Sequence, residues 1–323
     1  MNAGVFLLSA LFVFVKCDEV DDNEAKLRFY YGTMANYTEF YIHEAHRIFS
    51  ETWYNSSRNT VIFAYGYTGR PNGPAVTAVI TAYIQEGKSN VALLNWQKLA
   101  SMALPGFATS YMSWAAPNAR KLGVRFAAVL ANMSAAGLDL NKTHLIGHSL
   151  GAHIFGIAGN TMSQNGIQPT CIIGLDPSRI GFENKPPEMR LNADSGGQVV
   201  VIHTDTNKYG AKGPMGKVDF WPNYRHPGPA TQPGCEHRLA PTFSLLDLCD
   251  HNRSWELLID AIARPGSLIG SHAKNYRRWK NYSEAERRAV TSSIEKCDKN
   301  ILPGNYFLIT NAEVPYGRGE EGL

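Results

Sequence analysis

A serine, an aspartate and a histidine, far apart along this chain, each stand in a local sequence suited to acyl transfer. Ser149 lies in Gly147-His148-Ser149-Leu150-Gly151, directly after the apolar pair Leu145-Ile146 and before a helix-like stretch. A Gly-x-Ser-x-Gly pentapeptide between strand and helix makes a nucleophile elbow. The turn strains the serine backbone, and only glycines two residues to either side let strand and helix pass so closely. The chemistry is attack of a hydroxyl on an ester carbonyl. It needs a base to take the hydroxyl proton and a carboxylate to orient that base.

Where a serine sits on such an elbow, the partners follow in the order serine, acid, histidine, each on a turn at the C-terminal end of a sheet. The next strand-like run ends in Gly174-Leu175-Asp176-Pro177, which puts a carboxylate where the acid belongs. Its plain alternative is an Asx turn, common at Asp-Pro. Further on, Cys249-Asp250-His251-Asn252-Arg253-Ser254 places a histidine ahead of a helix-like segment over 255–263. His203 competes as the base. It lies inside a strand-like run before Thr204-Asp205, where a structural hydrogen bond is the expectation. His148 and His153 flank the serine too closely to swing back onto its hydroxyl, so both read as packing residues.

The elements that must position these groups are visible as alternating runs. Apolar, β-branched or aromatic stretches recur at 61–65, 91–96, 144–146, 171–175 and 199–203, with helix-like segments at 75–85, 117–133 and 151–162 between them. Buried strands alternating with crossover helices give an α/β fold, a mostly parallel central sheet with helices on both faces. Runs at 27–31 and 39–43 pair antiparallel at an edge in this reading. Residues 207–233, rich in Gly, Pro, Asn and aromatics, read as a long surface loop. With 323 residues and 44% hydrophobic content the chain can bury a large core, and residues 18–323 read as one domain. A net charge of +3 is too mild for a nucleic-acid partner.

Residues 5–15 form an apolar run too short to span a membrane and suited to the core of a signal peptide, residues 1–17, cleaved before Asp18. A buried N-terminal strand is the alternative. Six Asn-x-Ser/Thr sequons, at Asn36, Asn55, Asn132, Asn141, Asn252 and Asn281, fit a secreted, extracellular glycoprotein. If Cys17 leaves with the leader, Cys171, Cys235, Cys249 and Cys297 remain, and four allow three pairings. Cys235 with Cys249 is the most local option, leaving Cys171 with Cys297. No Cys/His spacing matches a zinc site.

Six ordered motifs resemble the secreted animal lipases of the pancreatic lipase superfamily, especially lid-reduced insect lipases and phospholipases A1. They are Gly-His-Ser-Leu-Gly-Ala-His (147–153), Gly-Leu-Asp-Pro-Ser (174–178), Val-Ile-His-Thr-Asp (201–205), Gln-Pro-Gly-Cys (232–235), Cys-x-His-x-Arg-Ser (249–254) and Tyr-Phe-Leu-Ile-Thr-Asn (306–311). The resemblance implies an α/β-hydrolase fold and a triad of Ser149, Asp176 and His251. It also implies an oxyanion hole from the backbone N–H groups of Leu150 and Tyr67, although Tyr67 also reads as an aromatic lining the acyl groove. Tyr65 stands where the family usually has histidine.

The same resemblance makes the Cys235–Cys249 loop a shortened lid, with an open site and little need for interfacial opening. The family calcium loop reads Arg190-Leu191-Asn192-Ala193-Asp194-Ser195 here, with one acid replaced by Asn192 and another displaced to Asp194. That implies no metal and no other cofactor. The family's C-terminal β-sandwich is expected to be absent, and colipase with it. Expected partners are glycerolipid substrates and a lipid surface or micelle. The reading is a serine carboxylester hydrolase of the triacylglycerol-lipase type. Its alternatives are a phospholipase A1 or galactolipase preference, and a non-catalytic yolk-type lipid-binding protein. The basic run Arg277-Arg278-Trp279-Lys280 reads as a solvated helix face, with contact to heparin-like or anionic lipid surfaces as the alternative.

Overall fold

Residues 24–225, 230–235 and 240–323 are described by the computed structural model, so the expected leader lies outside the described residues. In chain order the strands are β1 (Lys26–Tyr31), β2 (Thr33–Tyr41), β3 (Asn59–Ala64), β4 (Ser89–Asn95), β5 (Thr143–His148), β6 (Cys171–Leu175), β7 (Gln198–Ile202), β8 (Val218–Pro222), β9 (Ile269–Ala273), β10 (Thr291–Ser293) and β11 (Gly304–Leu308). The helices are α1 (Pro74–Glu86), α2 (Gln97–Ala100), α3 (Phe107–Ser110), α4 (Ala116–Ala136), α5 (Leu150–Ser163), α6 (Cys249–Ala263), α7 (Tyr276–Lys280) and α8 (Glu284–Ala289).

All these strands join one sheet, in the order β10-β9-β11-β8-β7-β6-β5-β3-β4-β1-β2. Pairing is parallel from β4 through β11 and antiparallel at both margins, β1 and β2 on one side, β9 and β10 on the other. The parallel strands are buried almost throughout, which is why their sequences run apolar without alternation.

The chain moves one way along the sheet from β3 to β4, then back past β3 to β5, β6 and β7. Right-handed crossovers therefore put α1 on one face and α4 and α5 on the other. The packing agrees: α1 meets α6, and α4 meets α5. At the α4–α5 contact, a first side-chain carbon on Gly123 would fall 2.8 Å from Ile157 Cβ, so only glycine lets the helices close. The direction of winding reverses between β3 and β5, the point beyond whose strands' C-terminal ends such sheets generally bind ligands.

Three sequence readings are corrected. The segment read as a surface loop contains β8, a buried strand between β7 and β11. The second edge strand starts at Thr33, and Ile42 and His43 belong to the 3-10 helix Ile42–Ser50. His251 lies inside the first turn of α6 rather than ahead of it. Both disulfides form as paired above, Cys171 with Cys297 and Cys235 with Cys249. Among the described residues no helix is long and apolar enough to cross a membrane.

Candidate active site

Ser149 caps α5 with a left-handed backbone, φ 57°, and its N–H donates to the carbonyl of Leu175 at 3.0 Å. A side chain at Gly147 would strike the Ala152 nitrogen at 2.3 Å, and one at Gly151 the Ala64 carbonyl oxygen at 2.1 Å. Both elbow glycines are thus demanded by crowding. Leu150 opens α5, so its N–H is one of the uncommitted donors at a helix start.

The turn after β3 crosses directly over this serine. A carbon added to Gly66 would lie 2.7 Å from Ser149 Cβ, so Gly66-Tyr67 approaches as closely as backbone can. Tyr65 anchors that turn: its hydroxyl donates to Asn95 Oδ1 at 2.9 Å and accepts from the Trp96 N–H at 3.1 Å. Burial drives its phenol well above the usual range, so it stays neutral. The Tyr67 hydroxyl donates to the Phe107 carbonyl at 3.1 Å.

Asp176, φ 42°, follows β6 and is fully buried. One carboxylate oxygen accepts the N–H groups of Thr204 and Asp205 at 2.8 and 3.1 Å, and the other accepts His251 Nδ1–H at 2.6 Å. With Nδ1 committed, Nε2 is the basic nitrogen. His148, the residue before Ser149, touches this ring. Its imidazole lies 4.7 Å from that of His251 between centroids, and its Nε2–H donates to the His251 carbonyl at 3.3 Å. Burial, and then the neighbouring His251, hold His148 well below the usual histidine range, so it is neutral.

His153 is neutral too, pushed down to about 3 chiefly by burial. Its Nε2–H donates to the Ser178 carbonyl at 2.8 Å, and Nδ1 accepts the Leu191 N–H at 3.2 Å. His203, the competing base, instead bonds Asp219 at 2.7 Å and stacks on Trp221, centroids 3.9 Å apart.

Several neighbours were given no role in the sequence reading. Gly210 packs on the Asp176 carboxylate so tightly that a side-chain carbon would lie 2.4 Å from Oδ1. Gln232 ties the 204 turn to β8, donating to the carbonyls of Thr204 and Pro222 at 3.0 and 3.1 Å. Its backbone N–H donates to Asp250 at 2.5 Å. Asp205 is fully buried, and neither of its carboxylate oxygens has a hydrogen-bond partner. Burial, and then the charge of Asp176, raise it to about 7. Asp205 and Gln232 lie in motifs quoted above, but the role of each depends on a contact made only on folding.

The described part of the disulfide loop packs beside the site. Phe243, φ 63°, lays its ring among those of Phe107 and Tyr209, centroids 5.5 and 5.0 Å away. Asp247 fastens the segment, accepting the Phe243 N–H at 2.8 Å, the Tyr209 hydroxyl in a short bond, and Lys208 Nζ at 2.8 Å. Where the sequence reading expected an open site, the Phe243 ring packs on Phe107 and Tyr209, and Ser149 and His251 are buried. Leu245 and Leu246 stay 74% and 54% exposed on its outer surface. Residues 236–239 of this loop lie outside the described residues.

Below the site, Asn192 turns its amide nitrogen inward. Nδ2 donates to the carbonyls of Pro187 and Arg190 at 2.8 and 3.3 Å and to Asn160 Oδ1 at 3.0 Å. Its Oδ1 accepts the Asp194 N–H at 2.8 Å.

A family model described as Lipase matches residues 14–316. Lipase member H-B of Xenopus laevis is 34% identical over 229 residues, 70% of this chain and 46% of that protein. Phospholipase A1 member A of Bos taurus is 31% identical over 225 residues, 69% and 46% respectively. The chain spans about half the length of the curated relatives it matches. Among solved structures, a phospholipase/carboxylesterase from Dyadobacter fermentans superposes with a TM-score of 0.31 at 15% identity, covering 45% of this chain and 65% of that one. With six ordered motifs and a family match over nearly its whole length, the chain belongs to the lipase family.

Proposed function

We propose that the chain is a serine carboxylester hydrolase of glycerolipids working through Ser149, His251 and Asp176. The observation that carries this reading is the 2.6 Å bond from His251 to Asp176, held on two turns beside the Ser149 elbow. His251 Nε2 takes the proton as Ser149 Oγ attacks the ester carbonyl. The tetrahedral oxyanion is received by the backbone N–H groups of Leu150 and Tyr67, each contributing about 3 kcal/mol to the lowered barrier. Collapse expels the alcohol, which leaves with the proton from His251, and a water then releases the fatty acid by the same steps. Asp176 orients the ring through Nδ1 and stabilises the imidazolium.

A preference for phospholipid is the second reading, favoured by the short Phe243 loop and by the resemblance to phospholipase A1 member A. The two disulfides support export through an oxidising compartment. Exposed Met102, Phe107, Leu245 and Leu246 support contact with a lipid surface. In this reading the Asn192 loop holds no calcium: an amide donor already satisfies the carbonyls that the ion would need, and N–H groups cannot share a site with a cation. The deciding experiment measures release of fatty acid from triolein, phosphatidylcholine and galactolipid by the purified protein and by Ser149→Ala. Equal turnover by the variant would exclude Ser149 as the nucleophile, and absence of turnover by the parent on all three lipids would favour a lipid-binding role.

A further inference from the structure

Tyr65 is held by a chain of side chains that the hydrolase reading leaves without a role. Asn95 ends β4, and its Oδ1 accepts the Tyr65 hydroxyl at 2.9 Å. Its Nδ2–H donates to Glu39 Oε1 at 3.1 Å. Glu39 stands on β2, the outermost strand of the sheet, with β1 between it and β4. There it also accepts Arg28 Nε–H at 3.0 Å and Lys26 Nζ–H at 3.2 Å. Arg28 is fixed in turn over the Tyr37 ring, 3.9 Å from its centroid.

The direction of every bond in this chain is forced. A carboxylate can only accept, so Asn95 turns its NH2 group toward Glu39 and its oxygen toward Tyr65. The Trp96 N–H can only donate, so the phenol oxygen accepts it and points its own O–H at Asn95. Glu39 thereby selects the amide orientation that suits the phenol. Lys26 and Arg28 alone would satisfy an ion pair at the sheet edge; the amide of Asn95 extends that pair to the site.

What the chain holds is the turn over Ser149. Residues 66–69 curl back onto the Tyr65 ring, where a side-chain carbon on Gly69 would fall 2.2 Å from Cδ2. The turn is closed by Gly69 N–H on the Gly66 carbonyl at 3.1 Å and by Thr68 N–H on the Ala100 carbonyl at 2.8 Å. The Tyr65 carbonyl accepts Trp96 Nε1–H at 3.0 Å. A shift of the phenol therefore moves Gly66 and the Tyr67 N–H against Ser149. Displacing an oxyanion donor by a fraction of an ångström removes much of its effect on the rate.

We propose that Glu39 and Asn95 are positioning residues for the oxyanion hole, acting through Tyr65. This rests on the hydrolase reading, because it concerns the Tyr67 N–H that receives the oxyanion there. A charge cluster on the edge strand thus bears on kcat, although β2 lies four places along the order β5-β3-β4-β1-β2 from the strand that leads into Ser149.

Hydrolysis of p-nitrophenyl butyrate, with kcat expressed per site titrated by a p-nitrophenyl phosphonate, tests this. Tyr65→Phe is expected to lower kcat about tenfold and Glu39→Gln about threefold, each with KM within about twofold of the parent. The inhibition constant of butylboronic acid, whose tetrahedral adduct places an oxygen in the oxyanion hole, should rise by the same factors. A purely structural lesion lowers the number of titratable sites and leaves kcat per site and boronate affinity alone. Because both substitutions break one chain, the double variant should be no slower than Tyr65→Phe. The proposal is overturned if either single variant keeps the parent's kcat per site, if boronate affinity does not follow kcat, or if the two effects multiply. Undiminished turnover by Ser149→Ala would instead overturn the hydrolase reading. An inactive Ser149→Ala beside a fully active Tyr65→Phe overturns this inference alone.

Discussion

Phe243 meets Tyr67 edge to face, with ring centroids 6.1 Å apart and an interplanar angle of 83°. One residue belongs to the disulfide loop. The other carries a backbone amide placed against Ser149. The disulfide loop and the proposed oxyanion hole therefore meet in one aromatic contact.

Phe243→Ala is expected to raise kcat/KM for a soluble short-chain ester by about three- to tenfold, because the cover no longer has to swing aside. Asp247→Asn, which weakens the ties to Lys208 and Tyr209, should move the same parameter in the same direction. Steady-state kinetics below the critical micelle concentration would check both. A fall in both variants would mean that the ring positions substrate instead of excluding it.

Ser149→Ala should reduce ester turnover by at least about 10³-fold with folding preserved. Ser149→Gly should be equally inactive, yet more stable than the alanine variant by about 1 kcal/mol, because φ 57° suits glycine. Denaturant melts of the two inactive proteins would decide whether the elbow strain is real.

Asp205→Asn tests the buried second carboxylate. The folded protein holds a proton on Asp205 that the unfolded chain releases at ordinary carboxylate pH. Stability should accordingly be greatest in acid and fall as pH rises through the folded value of about 7. The asparagine variant lacks this term, so its melting temperature should gain on the parent between pH 5 and pH 8. Parallel curves would show that Asp205 is ionised in the fold.

Treatment with EDTA should leave turnover and melting temperature unchanged. Asn192→Asp, by contrast, turns a donor into an acceptor facing the Pro187 and Arg190 carbonyls, and millimolar calcium should then raise the variant's melting temperature by several degrees. If the parent itself melts lower in EDTA, the amide does not replace the ion.

The parallel core was legible because strands buried on both faces must be apolar at every position, as the runs at β3 to β7 are. Strand β8 was hidden. Val218-Asp219-Phe220-Trp221-Pro222 carries an acid and a proline amid turn residues, and its pairing is supplied by β7 and by β11 far along the chain. The elbow serine could be read from its glycine spacing together with the strand-like run before it and the helix-like stretch after it. Gly66, Gly210 and Gln232 could not, because their partners arrive only on folding. The loop length suggested an open mouth, yet composition does not reveal that Asp247 would pin Phe243 inward.

The Cys171–Cys297 bridge ties the first residue of β6 to the segment after β10, 126 positions later. Every chain cut between those two cysteines, including any within the glycine- and proline-rich stretch before Cys235, leaves the fragments covalently joined. A nicked molecule keeps its mass on a non-reducing gel and separates only with thiol, so a clipped form runs there as the intact protein.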